Sequence, residues 1–278
     1  MISQPSLAEL VRRHDRDRYQ VCLFAPADRR DALLVLYAFN YEVARIRESV
    51  TQPMLGQIRL QWWREVIETA YGGGPARQHE VVAPLTEIIR EHGLTRGHFE
   101  RLIETREHDL LDEPPADMGA LERYAEGTAG TLQWLALEIL GTRDAHLGHA
   151  AGEIGIGYAL TGLLRAMAFH ARSNRLYLPA DVTARTGMNR EDYARLNATE
   201  PLRAAVRAIA VTAAAHLAAG KAKPAAGALP VLLPGTIARR YLRRLRAAGN
   251  DPFAPSLSTP DTLQSWRLLF AATTGWGV

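Results

Sequence analysis

One cysteine in 278 residues excludes a disulfide-stapled scaffold and any site built from several thiolates. Cys22 itself reads as a small buried apolar residue. No uncharged run reaches the roughly 18–20 residues of a membrane-spanning helix. The longest, Ala208–Gly220 and Pro224–Ala238, fall short, and the second holds three prolines. Met1–Arg18 lacks an apolar signal core, and Asp15 and Asp17 interrupt its arginines, which argues against a targeting peptide. Charge of one sign is also scarce in excess. Thirty-three Lys+Arg against 30 Asp+Glu leave +3, with a pI near 9.2. That balance suits a cell interior or an anionic surface and does not call for nucleic acid. The Ala- and Arg-heavy, lysine-poor usage looks bacterial, so the expected location is the cytoplasm, with peripheral contact at an inner membrane as an option.

Several chemistries are missing too. There is no Gly-x-Ser-x-Gly elbow. Gly220-Lys221 lacks the rest of a phosphate-binding loop. Gly152, Gly155 and Gly157 do not fit a dinucleotide fingerprint. No His has a Glu three residues before it, which removes the di-iron bundle motif. His146 and His149 read as a solvated helix end rather than metal ligands.

What is present is a 47% hydrophobic chain with helical periodicity nearly throughout. Leu33, Leu36, Tyr37, Val43 and Ile46 recur at helical spacing within Asp28–Val50. Leu55, Ile58, Trp62, Val66 and Ala70 form a stripe after Pro53, and Gly72–Pro75 ends it. Further helices are expected at Glu80–His92, Thr95–Leu111, Met118–Leu140, Ala145–Ala171, Arg190–Leu196, Leu202–Gly220, Ile237–Ala248 and Thr259–Ala272. Thr95 and Thr259 are expected N-caps, Thr259 with Pro260 at the first helical position. Pro114-Pro115 and Gly220–Pro234 read as loops. The four glycines Gly152, Gly155, Gly157 and Gly162 are expected to permit close helix approach. Of the adjacent Trp62 and Trp63, one is expected inside and the other exposed as a binding surface. The whole chain, 1–278, is read as a single all-α domain.

Two stretches carry more than periodicity. One runs Phe24-Ala25-Pro26-Ala27-Asp28-Arg29-Arg30 through Leu36-Tyr37-Ala38-Phe39 to Glu48. The other runs from Gly162-Leu163-Leu164-Arg165 to Tyr177-Leu178-Pro179. With Tyr124-Ala125-Glu126, Ala129-Gly130 and the Leu242–Phe253 region, they resemble the squalene/phytoene synthase family, in the same order along nearly the whole chain. The resemblance implies an isoprenoid-synthase-type helical bundle around a central cavity. It also implies two facing helices whose paired acids hold Mg²⁺ against diphosphate, as ionisation of an allylic diphosphate requires.

Carried over residue by residue, the family's first acidic motif falls on Ala44, Arg45 and Glu48, and the second on Ala166 and His170. One Glu and one His cannot rebuild an oxygen-ligated Mg²⁺ cluster. The expectation is therefore no catalytic residue, no metal and no cofactor, with Mg²⁺ entering only if the chain is a prenyl-diphosphate transferase with an altered metal site. Arg45, Arg47, Arg165, Arg172, Arg175 and Tyr177 are expected to form a rim for an anion or an acidic partner. Tyr37-Ala38-Phe39-Asn40, Ile58-Arg59 with Gln61-Trp62, and Leu137–Gly141 resemble one branch in particular. That branch includes a mitochondrial respiratory complex I assembly factor and bacterial relatives. It implies a non-catalytic helper that binds a hydrophilic subunit of NADH:quinone oxidoreductase. An isoprenoid- or lipid-binding protein is the remaining alternative.

Overall fold

In the computed structural model, residues 6–222, 227–259 and 261–275 are described. Sixteen α-helices are found among them. The first eight are α1 (Leu7–His14), α2 (Arg16–Cys22), α3 (Ala27–Ala44), α4 (Pro53–Gly72), α5 (Val82–His92), α6 (Arg96–Thr105), α7 (Met118–Ala125) and α8 (Thr131–Ile139). The second eight are α9 (Ala145–Arg165), α10 (Met167–Arg172), α11 (Ala180–Thr186), α12 (Arg190–Ala194), α13 (Glu200–Ala219), α14 (Leu229–Ala247), α15 (Pro255–Ser258) and α16 (Gln264–Thr274). The architecture is an all-α bundle.

Two buried clusters make the core. One gathers Leu33, Leu36, Phe39, Leu60, Leu85, Phe99 and Leu132 from α3–α6 and α8. The other gathers Leu121, Leu160, Leu164, Val206 and Ile209 from α7, α9 and α13. Helix α9 joins them: Leu147, Ala151 and Ile154 enter the first, while Ile156, Leu160 and Leu164 enter the second. Helix α14 is divided likewise, with Val231–Leu233 in the first and Tyr241 and Leu245 in the second.

Glycine lets α9 occupy this central position. A Cβ on Gly155 would lie 2.7 Å from the Ala129 carbonyl oxygen, and one on Gly157 would lie 2.6 Å from Leu217 of α13. Gly148 makes room for the Trp134 ring, which a Cβ would strike at 2.0 Å. Gly162 departs from the expected pattern. Nothing lies within 4 Å of its would-be Cβ, because it faces a cleft instead of a helix.

Other differences have local causes. The expected Met118–Leu140 helix is interrupted by a π-turn at Glu126–Gly130, where the Thr128 hydroxyl donates to the Tyr124 carbonyl at 2.8 Å and the backbone meets Gly155. The Ala145–Ala171 helix is divided at Ala166 (φ −88°, ψ 3°). Helix α14 begins at Leu229 and contains Pro234, inside a segment expected to be loop. Pro230 falls in the first turn, whose amides have no intrahelical bond to lose; Pro234 leaves the Pro230 carbonyl without its i+4 donor, while the buried Gln133 amide donates to the neighbouring Val231 carbonyl at 2.7 Å. Helix α11 was not expected; its Ala180 and Asp181 amides donate to the carbonyls of Pro115 and Ala116. Thr95 does cap α6 by position, but its amide and hydroxyl both go to Glu138. Thr259 follows α15 rather than starting a helix. Pro260, the Lys223–Ala226 part of the expected loop, and the first five residues of the N-terminal reading lie outside the described residues. Trp62 is partly buried beneath Arg77 and His79, so it is not the exposed member of an exposed–buried pair; Trp63 is core. Cys22 is fully buried, and burial pushes its thiol pKa up. Among the described residues, α13 is long and apolar enough to cross a membrane by composition, with mean hydropathy 1.3. A reading based on uncharged runs passes over it, because Arg203 and Arg207 interrupt the sequence. Its Ala205, Ile209, Ala213 and Leu217 are buried, and the helix packs on α9.

A polar clamp ties α13 to its neighbours. His216 sits between Glu153 of α9 (Nδ1–Oε2, 2.8 Å) and Glu122 of α7 (Nε2–Oε1, 2.9 Å). Burial opposes its charge, but hydrogen bonds to the two carboxylates outweigh that and raise its pKa above the ordinary 6.5. The protonated clamp therefore stabilises the fold below the ordinary value, and this contribution disappears as pH rises through the raised one. His216→Ala is expected to cost about 1–2 kcal/mol under mildly acidic conditions and much less in alkaline buffer, as read from urea melts at both. A second pair of melts separates the two glycine types. Gly155→Ala is expected to cost about 1–3 kcal/mol through overpacking. Gly162→Ala is expected to be neutral or to stabilise by about 0.5–1 kcal/mol, since it adds helix propensity without a clash.

Candidate functional site

The positions singled out in the sequence converge where α3 and α9 end. Arg45 is the residue capping α3, and Glu48 lies in the 3₁₀ turn Arg47–Ser49 that follows. Ala166 caps α9, and His170 lies one turn later in α10. Ala44 and Glu48 therefore do not share one continuous helix face, so the i, i+4 stacking of carboxylates is lost along with the carboxylates themselves. The chain then leaves α10 in an extended segment, Arg175–Pro179, which brings Arg175 and Tyr177 back over His170.

The hub of this region is Asp109, in a 3₁₀ turn after α6 and only 5% exposed. Its Oδ1 accepts from the Tyr124 hydroxyl at 2.7 Å and the Tyr177 hydroxyl at 2.8 Å. Its Oδ2 accepts from Arg106 Nη1 at 3.1 Å, and that nitrogen also donates to the Tyr124 hydroxyl at 2.9 Å. Arg175 donates to the Asp109 backbone carbonyl at 2.6 Å and lies over the Tyr177 ring at 5.1 Å. The carboxylate is thus shared among three charged or phenolic donors, in a setting where an unpaired charge is costly.

Electrostatics follow from burial. Both Tyr124 and Tyr177 are pushed above the ordinary phenol range, first by desolvation. His170, its ring tilted 59° against the Tyr177 ring at 4.7 Å, is held down to about 4 by burial and then by the Arg175 charge, so it is neutral near neutral pH. Its buried Nδ1 has no hydrogen-bond partner. Glu48 is raised, first by desolvation, with Asp109 adding to the rise and Arg175 and Arg106 opposing it.

The arginines expected to form a free positive rim are mostly already engaged. Arg45 pairs with Glu42 at 2.9 Å, Arg47 with Asp112 at 3.6 Å, and Arg165 with Asp17 at 2.6 Å. Arg175 is tied to Asp109. Only Arg172 is exposed and, among the described residues, without an ion pair. The reason is spatial: Asp17 and Asp109 are distant in sequence from the arginines they bind. Tyr177 likewise points into the network and not outward.

The central space is two clefts. One, of about 520 Å³, is lined by Asp15, Arg18, Arg106, Tyr124, Tyr158 and Arg165 among others. The second, of about 510 Å³, lies against Arg101, His108, Pro114, Arg123, Tyr124 and Tyr177. Tyr124 lines both, so the Asp109 cluster stands between them. The donor set does not fit a Mg²⁺–diphosphate assembly. Hard cations need several oxygen ligands; Arg45 is cationic, Ala44 and Ala166 carry no donor, and the Asp109 oxygens are already bonded. Among the described residues no three His, Cys, Asp or Glu side chains gather closely enough to hold a metal ion. Sequence reading quoted Tyr124 only as a resemblance and missed Arg106 and Asp109. Their one local signal is the i, i+3 Arg–Asp spacing, which many surface turns share.

The network yields a stability prediction. Asp109→Ala leaves Arg106 buried without its counter-charge and is expected to cost about 3–5 kcal/mol. Tyr177→Phe removes one donor of three and is expected to cost about 1 kcal/mol. Equilibrium urea unfolding measures both.

Relatives of known name agree with this arrangement in fold. The mouse protein named NADH dehydrogenase (ubiquinone) complex I, assembly factor 6 is 34% identical over 269 residues, covering 93% of this chain and 80% of its own. A presqualene diphosphate synthase from Rhodopseudomonas palustris is 28% identical over 202 residues, covering 72% of this chain and 71% of its own. The crystal structure of a squalene synthase from Alicyclobacillus acidocaldarius superposes with a TM-score of 0.78 at 21% identity, covering 89% of this chain and 94% of that one. With residues 11–269 matching the squalene/phytoene synthase family as a whole, this chain belongs to that family.

Proposed function

We propose that this chain is a non-catalytic member of the family that assists assembly of NADH:quinone oxidoreductase by binding one of its hydrophilic subunits. The observation that carries the reading is the content of the former metal positions. They hold Ala44, Arg45, Glu48, Ala166 and a neutral His170, one carboxylate among five, beside a second carboxylate, Asp109, whose oxygens are already bonded. The similarity to assembly factor 6 over 93% of the chain supports the same reading. The polar lining of the cleft beside α2, with Asp15, Arg18, Arg106 and Arg165, is a poor match for an isoprenoid chain.

In this reading the subunit-binding patch is α10. Phe169, 49% exposed, and the exposed Arg172 stand three residues apart on one helix face. An aromatic beside an unpaired arginine is the composition of an interface anchor. Arg175 is excluded from this role, because it is half-buried and holds Asp109.

The test pairs capture with chemistry. Tagged protein recovered from the organism that encodes it should carry oxidoreductase subunits. Phe169→Ala with Arg172→Glu should lower that recovery about tenfold, with the melting temperature unchanged. The purified protein should release no pyrophosphate from farnesyl diphosphate with Mg²⁺. Pyrophosphate release would restore the transferase reading, and recovery without oxidoreductase subunits would remove the assembly reading.

A further inference from the structure

The C-terminal helices α14 and α16 combine positive charge with an exposed aromatic face. Residues 229–275 carry six arginines against two aspartates, in a chain whose whole formal net charge is +3. Neither helix contains an acidic residue. The positive excess therefore lies here, and not at the former metal positions.

Helix α16 is amphipathic with its larger apolar face outward. Leu268 and Ala271 are buried against the bundle. On the opposite side Leu263, Trp266, Leu269 and Phe270 are exposed, Trp266 at 69% and Phe270 at 54%. Little apolar burial holds the helix in place. A polar latch does: Gln264 Nε2 donates to Asp17 Oδ1 at 2.8 Å and to Gln20 Oε1 at 2.7 Å, and Gln20 Nε2 donates to the Ser265 hydroxyl at 3.1 Å. Hydrogen bonds at the inner edge thus fix the orientation that keeps the aromatic face outward.

Beside this face lies a cleft of about 360 Å³ whose walls include Arg239, Arg243, Trp266, Arg267 and Phe270. Arg267 is matched by Asp261 at 3.1 Å, and Arg239 donates to the Leu217 carbonyl at 2.8 Å. Arg243 is exposed and, among the described residues, has no ion pair. Crowding with Arg243, after burial, lowers the pKa of Arg239, so an anion in the cleft would relieve repulsion already present.

We propose that α14 and α16 form a docking surface for an anionic lipid bilayer. Trp266, Phe270, Leu263 and Leu269 would enter the acyl boundary, and Arg239, Arg243 and Arg267 would meet lipid phosphates. A lipid surface fits this face because apolar aromatic area and guanidinium charge share one edge. That pairing suits the headgroup–acyl boundary. This inference stands apart from the proposed assembly role, which rests on α10 and the former metal positions.

Co-sedimentation of the full chain with phosphatidylcholine vesicles, with and without phosphatidylglycerol, tests it. Binding is expected only when the anionic lipid is present, and is expected to fall as salt is raised. Trp266→Ser with Phe270→Ser should weaken it about tenfold or more, and Arg243→Glu should do so to a similar degree. Arg195→Glu makes the same change in net charge at the residue capping α12 and should leave binding unchanged. Melting temperatures equal to that of the parent show that the variants fold. Equal binding to neutral vesicles, equal loss in Arg195→Glu, or retention in the Trp266/Phe270 variant would overturn the proposal. So would sedimentation equilibrium showing a dimer that Trp266→Ser dissociates, without vesicle binding, since the face would then be covered by a second copy.

Discussion

The Asp109 carboxylate is the interaction on which the centre of this molecule depends. It draws Tyr124 from α7, Tyr177 from the segment after α10 and Arg106 from its own turn onto two oxygens. Arg175 closes the group through the backbone carbonyl. Without that acceptor the Arg106 guanidinium would be buried with no counter-charge. The two phenols would also lose partners in a setting that already penalises their polarity. The same cluster stands between the two clefts and places His170, Glu48 and Tyr177 together. The Asp109 oxygens face protein donors on both sides.

Around this centre the bundle is arranged by close approach. Gly155 and Gly157 let α9 touch the π-turn and α13 at backbone distance, and α9 in turn contributes to both hydrophobic clusters. The His216 clamp adds a charge-dependent tie between α7, α9 and α13. Apolar contacts set the overall position of α13, while the two carboxylates fix its rotation.

Much of the fold was legible in the sequence, because helical periodicity reports which residues are buried. Leu33, Leu36, Val66 and Ala70 needed no partner to be read as core, but Leu55 and Ile58 of the stripe expected after Pro53 are exposed, because the first half of α4 turns Gly56, Leu60 and Trp63 inward instead. Pro234 misled, since a proline reads as a breaker unless the carbonyl it strands, or a neighbouring one, is served from elsewhere, here near Gln133. The site was legible only in what it lacks. Ala44, Arg45, Ala166 and His170 announce missing ligands, but nothing local announces that Arg165 has Asp17 as its partner or that Arg175 has Asp109. Those pairs lie 148 and 66 positions apart, beyond the reach of any helical spacing rule. The net charge had the same weakness: its value was known at once, and its location on α14 and α16 emerged only with the packing.

The titration pattern of the central cluster has one more consequence. His170 stays unprotonated until about pH 4, and the Tyr124 and Tyr177 hydroxyls keep their protons past the usual phenol range. Glu48 is the exception, and it lies at the edge. Near neutral pH these three rings, one imidazole and two phenols, are therefore uncharged together. The two phenol hydroxyls are held in fixed hydrogen bonds around one buried ion pair, so the geometry of the centre does not hinge on the charge state of any of the three rings.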